Sequence, residues 1–158
     1  ILSGLVGSEM CIRDSTKALL ESGVAYVGGY QGAPISHLMD VLADAKDELD
    51  ALGVHFESSA SEATAAAMLA ASAHYPLRGA VTFKSTVGTN VASDALANLS
   101  SGGVKGGALI IVGEDYGEGS SIMQERSHAF AMKRLPFAQP QRLHFFFKGA
   151  LSHACLRI

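Results

Sequence analysis

Short β-rich runs alternate with helical runs along most of this chain, and that alternation constrains the fold more than any other feature of the sequence. Thr16 to Ser22 has helical spacing, and Gly23 stands where a helix C-cap would. Val24 to Tyr30 is β-rich and ends at Gly28-Gly29; Gln31-Gly32-Ala33-Pro34 then forms a turn, with Pro34 in the first helical turn. His37 to Leu49 reads as an amphipathic helix, with Leu38, Val41, Leu42 and Ala45 on one side and Asp40, Asp44, Asp47 and Glu48 on the other. Gly53 to Glu57 is a second short strand. Ser59 to His74 is an Ala-rich helix N-capped by Ser59 or Ser61, whose small side chains allow close approach to a neighbour. Gly79 to Phe83 reads as a strand, Val87 to Leu99 as a helix and Gly102 to Gly107 as a flexible turn. Ala108 to Val112 is a continuous apolar run, which suits a parallel strand covered on both faces, and Ser120 to Met132 reads as a final helix.

This order predicts an α/β fold, a three-layer α/β/α arrangement around a parallel sheet, with right-handed crossovers. In such a sheet the functional loops lie where strands end and helices begin. Four loops qualify, at 29–34, 57–62, 84–90 and 114–121, and they gather along one edge. None of them carries GxGxxG or GxxxxGK[ST], so a dinucleotide or P-loop site has little support. The glycines of Gly102-Gly103-Val104-Lys105-Gly106-Gly107 precede a strand, which makes that stretch an ordinary turn.

Composition narrows the function classes. With 158 residues, 48% of them hydrophobic and 17% charged, the chain can bury a core in one domain, and disorder is excluded. No apolar run approaches the roughly 20 residues needed to cross a bilayer, so a soluble protein without membrane spans is expected. Twelve Lys+Arg against fifteen Asp+Glu give a net charge of −3, which argues against a nucleic-acid partner. Cys11 and Cys155 lie near opposite ends and suit neither a disulfide framework nor a CxxC motif, which points to a reducing, cytoplasmic setting. No His/Cys/Asp grouping has metal-ligand spacing, and no metal site is expected in this chain. His37 and His74 fit helix ends or faces.

The distribution along the chain is uneven. Beyond Glu125 there is no acidic residue, while Arg126, Lys133, Arg134, Arg142, Lys148 and Arg157 all lie there. Phe145-Phe146-Phe147 beside Lys148 would anchor an interaction module if that stretch bound a partner. Ile1 to Ser15 shows no clear period, lacks the basic start and apolar stretch of a secretory signal, and resembles the translated read-through of a sequencing adapter. The expected organisation is therefore a non-native adapter-like segment at 1–15, a domain at 16–141 and an atypical tail at 142–158 that reads as a junction or frame shift. Both cysteines then fall outside the domain, which is more acidic than the whole chain.

Read together, GYQGAP, ESSASEATAAAMLAAS, TFKSTVGTNVASDAL and GVKGGALIIVGEDYGEGSSIMQERSHAFA resemble the indolepyruvate branch of the 2-oxoacid:ferredoxin oxidoreductases. The resemblance covers about Thr16 to Pro140 and is to one domain, the N-terminal domain that holds the aminopyrimidine of thiamine diphosphate. It implies the thiamine diphosphate-binding pyrimidine-domain fold and places the cofactor-activating carboxylate at Glu62. A carboxyl bonded to the pyrimidine ring nitrogen promotes the tautomer whose exocyclic nitrogen can remove the thiazolium proton. Oxidative decarboxylation of a 2-oxoacid then delivers electrons to iron-sulfur centres and ferredoxin. Taken without the family, Glu62 is an acidic first-turn residue favoured by the helix dipole. Glu57, five residues earlier at a strand end, is the competing carboxylate.

The same resemblance assigns Gly32, Ala33, Lys84, Gly88 and Asn90 to cofactor binding. The family form of the first loop is GYPGTPSSE, so Gln31 replaces Pro and Ala33 replaces Thr. Lys84, Gly88, Asn90 and Asp94 match the third motif; an ordinary helix-surface hydrogen bond between Asn90 and Asp94 is the plain alternative. Gly88 reads as a position of close approach. In the fourth motif the family has DDPGxHSSQNEQDxR; Asp115, Gly117, Ser120 and Ser121 are retained, and the family's Arg falls on His128. Arg126 compensates as a planar donor fork for a substrate carboxylate, so Arg126 and His128 are the substrate-binding candidates.

Family enzymes hold the diphosphate and Mg2+ through a second domain carrying GDG, and neither GDG nor clustered Cys for an iron-sulfur centre occurs in this sequence. The resemblance therefore implies a fragment, inactive alone, that works with a diphosphate-binding domain, ferredoxin and a dimeric arrangement of the full enzyme. Two other classes compete. A small nucleotide-binding or regulatory α/β module predicts adenine-nucleotide binding at the strand-end loops, indifferent to Glu62→Ala. An interaction module predicts salt-sensitive partner binding lost on deleting residues 142–158.

Overall fold

Parallel strands with helices on both faces account for the alternation in the sequence. The computed structural model describes residues 3–33, 35–114 and 143–149. The elements run α1 (Ser3–Glu21), β1 (Val24–Gly29), α2 (Ser36–Asp44), α3 (Lys46–Ala51), β2 (His55–Ser58), α4 (Glu62–His74), β3 (Arg78–Lys84), α5 (Ser85–Val91), α6 (Ser93–Gly102), β4 (Gly107–Glu114) and β5 (Leu143–Gly149). The strands lie side by side in the order β2-β1-β3-β4-β5, and every neighbouring pair is parallel. A parallel neighbour can be reached only by a crossover, and α2 with α3, α4, and α5 with α6 supply the first three.

Because successive strand side chains point to opposite faces, the sheet feeds two separate cores. One face carries Tyr26, Val81, Phe83, Ile110 and Val112, packed beneath Ala65, Ala66 and Leu69 of α4 and Leu96 and Leu99 of α6. The other carries Val27, Ala80 and Ile111, covered by Ile12 and Leu19 of α1, Leu38 and Leu42 of α2 and Leu49 of α3. The three-layer α/β/α arrangement is thus present, with β1, β3 and β4 buried on both sides. The chain turns from α1 into β1 through Gly23 at φ 70, the left-handed conformation of a glycine C-cap.

Several boundaries differ from the sequence reading. The first helix begins at Ser3, inside a stretch where Gly4 and Gly7 dilute the helical pattern, and its Ile12 is buried. The helix expected from His37 to Leu49 is two helices that bend at Ala45 (φ −91, ψ 18). The one expected from Val87 to Leu99 bends at Ala92 (φ −82, ψ 4). Both hinge residues sit in the sparsely allowed bridge region, and neither is the Gly or Pro that would have marked a break. Leu49 joins Leu38 and Leu42 in the same core, as the hydrophobic spacing continues through the bend. In the tail, Leu143–Gly149 pairs with Ala108–Glu114 as an edge strand. The helix expected at Ser120 to Met132 lies outside the described residues. Among the described residues no helix is long and apolar enough to cross a membrane.

Candidate functional site

The register brings the strand ends together. Gly29 is opposite Ser58 on one side and Thr82 on the other, so the loops after β1, β2 and β3 leave the sheet side by side at its C-terminal edge. Two backbone hydrogen bonds tie them to neighbouring strands: Tyr30 N donates to Thr82 O at 3.0 Å, and Ser59 N donates to Gly29 O at 2.9 Å. This edge is where an open parallel sheet offers a ligand crevice.

Glu62 is the first residue of α4. Ser61 precedes it in an extended conformation (φ −161, ψ 166), and its Oγ accepts from Thr64 N at 3.2 Å, so Ser61 rather than Ser59 is the N-cap. The Glu62 residue is only 6% exposed, and among the described residues its carboxyl has no hydrogen-bond or ion-pair partner. Glu57 differs in both respects. Its side chain is 38% exposed, and it lies 3.4 Å from His55 Nε2. Of the two residues, only Glu62 is buried, at the junction between the loop after β2 and α4.

The remaining candidates divide. Gly32 and Lys84 touch, since a Cβ on Gly32 would come 3.1 Å from Lys84 Cβ. Gly32 O also accepts from Ile35 N and Ser36 N, closing the turn into α2, with Ala33 exposed on that turn. Gly88 is pressed against the core: a Cβ there would lie 2.6 Å from Phe83 Cδ2, so its role is close packing of α5 on β3. Asn90 is exposed on α5, and Asp94 is exposed on α6, where it accepts from Asn98 Nδ2 at 3.2 Å rather than pairing with Asn90. Gly32, Lys84 and Glu62 therefore share the edge, while Asn90 is exposed on α5. His37 lies on a helix face, 3.9 Å from Asp40. Arg126 and His128 lie outside the described residues. Among the described residues no group of three or more His, Cys, Asp or Glu side chains could hold a metal ion.

Residue-type reasoning missed a set of buried hydroxyls near this edge. Tyr26 Oη, Ser59 Oγ and Thr82 Oγ1 are buried without a hydrogen-bond partner. Burial, with a smaller contribution from Glu57, pushes the Tyr26 hydroxyl up to about 12, against a smaller lowering by the neighbouring Ser59 side chain. The Tyr26 and Ser59 oxygens are close neighbours that lack the alignment of a formed hydrogen bond. The available signal was Gly28, two residues after Tyr26 and hence on the same face of β1.

The three-layer sheet and its strand-end site define the class. An enzyme from Mycobacterium smegmatis assigned as thiamin diphosphate-dependent superposes with a TM-score of 0.53 at 20% identity, over 66% of this chain and 19% of that one. The 2-oxoglutarate:ferredoxin oxidoreductase of Magnetococcus marinus superposes with a TM-score of 0.52 at 15% identity, over 66% of this chain and 17% of that one. The fold is thus an α/β domain fold shared with thiamin diphosphate-dependent enzymes. At the level of sequence, the IorA subunit of indolepyruvate oxidoreductase from Methanothermobacter thermautotrophicus is 33% identical over 137 residues, 86% of this chain and 21% of that subunit. The IorA subunit of Thermococcus kodakarensis is 32% identical over 129 residues, 81% of this chain and 19% of that subunit. The chain is similar to these IorA subunits over most of its own length and spans about a fifth of the length of the curated relatives it matches. No family model matches it.

Proposed function

We propose that this chain supplies the pyrimidine-binding half-site of a thiamine diphosphate-dependent, indolepyruvate-type 2-oxoacid:ferredoxin oxidoreductase. The observation that carries the reading is Glu62, a residue only 6% exposed in the first turn of α4, at the C-terminal edge of a parallel sheet in a chain similar to IorA subunits. A carboxyl in a residue so largely shielded from water keeps hydrogen-bonding capacity that a ligand can complete. The nitrogen-rich edge of an aminopyrimidine does that, so the residues present fit the group.

When bound, thiamine diphosphate supplies the carbon centre and electron sink for 2-oxoacid decarboxylation. Glu62 holds a proton between its carboxyl oxygen and the pyrimidine ring nitrogen, a bond strengthened by exclusion of water. Gly32 makes room for the Lys84 stem beside the first loop, where Ala33 is exposed, and the Lys84 ammonium places positive charge on that side of the edge. Gly88 lets α5 pack on Phe83, which sets the position of Asn90. On sequence grounds Arg126 and His128 are the groups that hold the substrate carboxylate. Mg2+, the diphosphate and iron-sulfur centres are bound by other parts of the enzyme, and the sheet domain of this chain, which extends beyond residues 16–141 to include Ile12 and the Leu143–Gly149 strand, joins them in a cytoplasmic dimer serving ferredoxin.

The test is made in the full-length enzyme. Glu62→Gln is expected to lower turnover by roughly 10²–10⁴-fold, the range for removing a positioned acid-base group, while Glu57→Gln stays near wild type. Wild-type turnover by Glu62→Gln with loss in Glu57→Gln would reverse the assignment.

A further inference from the structure

The Tyr26 side chain runs up the β1 surface toward the site. Its ring stacks on His55 of the neighbouring strand, with centroids 6.0 Å apart and planes 21° from parallel. Its hydroxyl occupies the space that a side chain at Gly28 would fill, since a Cβ there would come 1.9 Å from the hydroxyl oxygen. The tyrosine therefore leans two residues along the strand, toward the C-terminal edge. There it meets two elements that hold Glu62. Tyr26 packs in one cluster with Ala65 and Ala66, one turn into α4, and Ser59 lies three residues before Glu62 in the connecting loop. Tyr26 is 5% exposed and Ser59 6%, and both hydroxyl oxygens are fully buried without partners.

We propose that Tyr26 and Ser59 are positioning residues for Glu62: their buried hydroxyl pair, seated over Gly28, sets the height of the 59–61 loop and so the aim of the Glu62 carboxyl. The inference rests on the reading of Glu62 as the pyrimidine-facing carboxyl. Two adjacent hydroxyls can satisfy each other by a small movement of the 59–61 loop, which leads directly into Glu62. The pair is thereby a soft seat in the free protein that firms when the ring is in place. Either hydroxyl can donate, so the seat works without a change of charge.

A merely structural role makes a distinct forecast. Deleting a buried hydroxyl that has no partner costs little and can even stabilise, so Tyr26→Phe should then melt at or above the wild-type temperature with no change in cofactor binding. In the full-length enzyme we expect the same unchanged melting, together with thiamine diphosphate affinity about tenfold weaker by calorimetry, the worth of one hydrogen bond. The 2-oxoacid KM should stay near wild type while kcat falls. Ser59→Ala should show the same pattern, and the double variant should be no worse than the weaker single one, because the two act as a unit. Unchanged cofactor affinity in both single variants, with Glu62→Gln impaired, overturns this inference and leaves the assignment of Glu62 standing. Full affinity and turnover in Glu62→Gln removes that assignment and this inference together. Additive losses in the double variant also overturn it, since they would show two independent effects.

Discussion

Glu57 and Glu62 occupy one polar string, and residue types alone gave no physical ground to choose between them. The distinction is one of burial and partners: Glu57 is half exposed beside His55, while Glu62 is shut in at the first turn of α4. The family motif points to Glu62, and the difference in burial between the two carboxylates depends on how β2 delivers the chain to α4, which no local pattern encodes. Tyr26 was hidden for a related reason. A tyrosine in a β-rich run looks like core, and its hydroxyl acquires meaning only through Gly28 and Ser59. Its titration provides a check at this scale. The hydroxyl proton is held with a value of about 12 in the folded protein against 10.0 ordinarily. Between those values the folded chain binds more protons than the unfolded one, so this residue's contribution is whole below about pH 10 and is lost as pH rises through about 12. Tyr26→Phe should therefore lose less melting temperature than wild type across that interval; identical alkaline profiles would count against the burial of the hydroxyl.

Among the elements, the strands were the most legible. Val24–Gly29, Arg78–Lys84 and Gly107–Glu114 fall within a residue or two of the sequence reading, because β-rich runs bounded by Gly leave few alternatives. The helix bends at Ala45 and Ala92 escaped it, since hydrophobic spacing continues through both and no breaker residue marks them. Helix α4 was recognised for its alanines, and the structure shows their purpose. Ala65 and Ala66 are fully buried, letting the helix that bears Glu62 lie close to the sheet. Ala66→Leu should cost roughly 1–3 kcal/mol by overpacking and should weaken thiamine diphosphate binding by displacing the helix start. A stability loss in chemical denaturation with unchanged cofactor affinity would show that α4 can adjust without moving Glu62.

At the scale of the whole molecule, the alternating pattern led directly to the parallel three-layer fold, while the order β2-β1-β3-β4-β5 needed tertiary structure to establish. The chain corresponds to about a fifth of its IorA relatives, and its site is an open edge. Supplied with thiamine diphosphate, Mg2+ and ferredoxin, the isolated 158-residue chain is expected to oxidise no 2-oxoacid; measurable reduction of ferredoxin would refute the half-site reading. The two cores described on opposite faces of the sheet carry a further consequence. The carboxyl belongs to the α4 layer and the Gly32–Lys84 contact to the loop entering the α2 layer, and the sheet strands β1, β3 and β4 lie between the two layers. Their spacing is therefore gauged by a hydrogen-bonded lattice rather than by helix packing. A disturbance in either layer stays in its own half of the edge, so the acid and the cation can drift or be tuned one at a time.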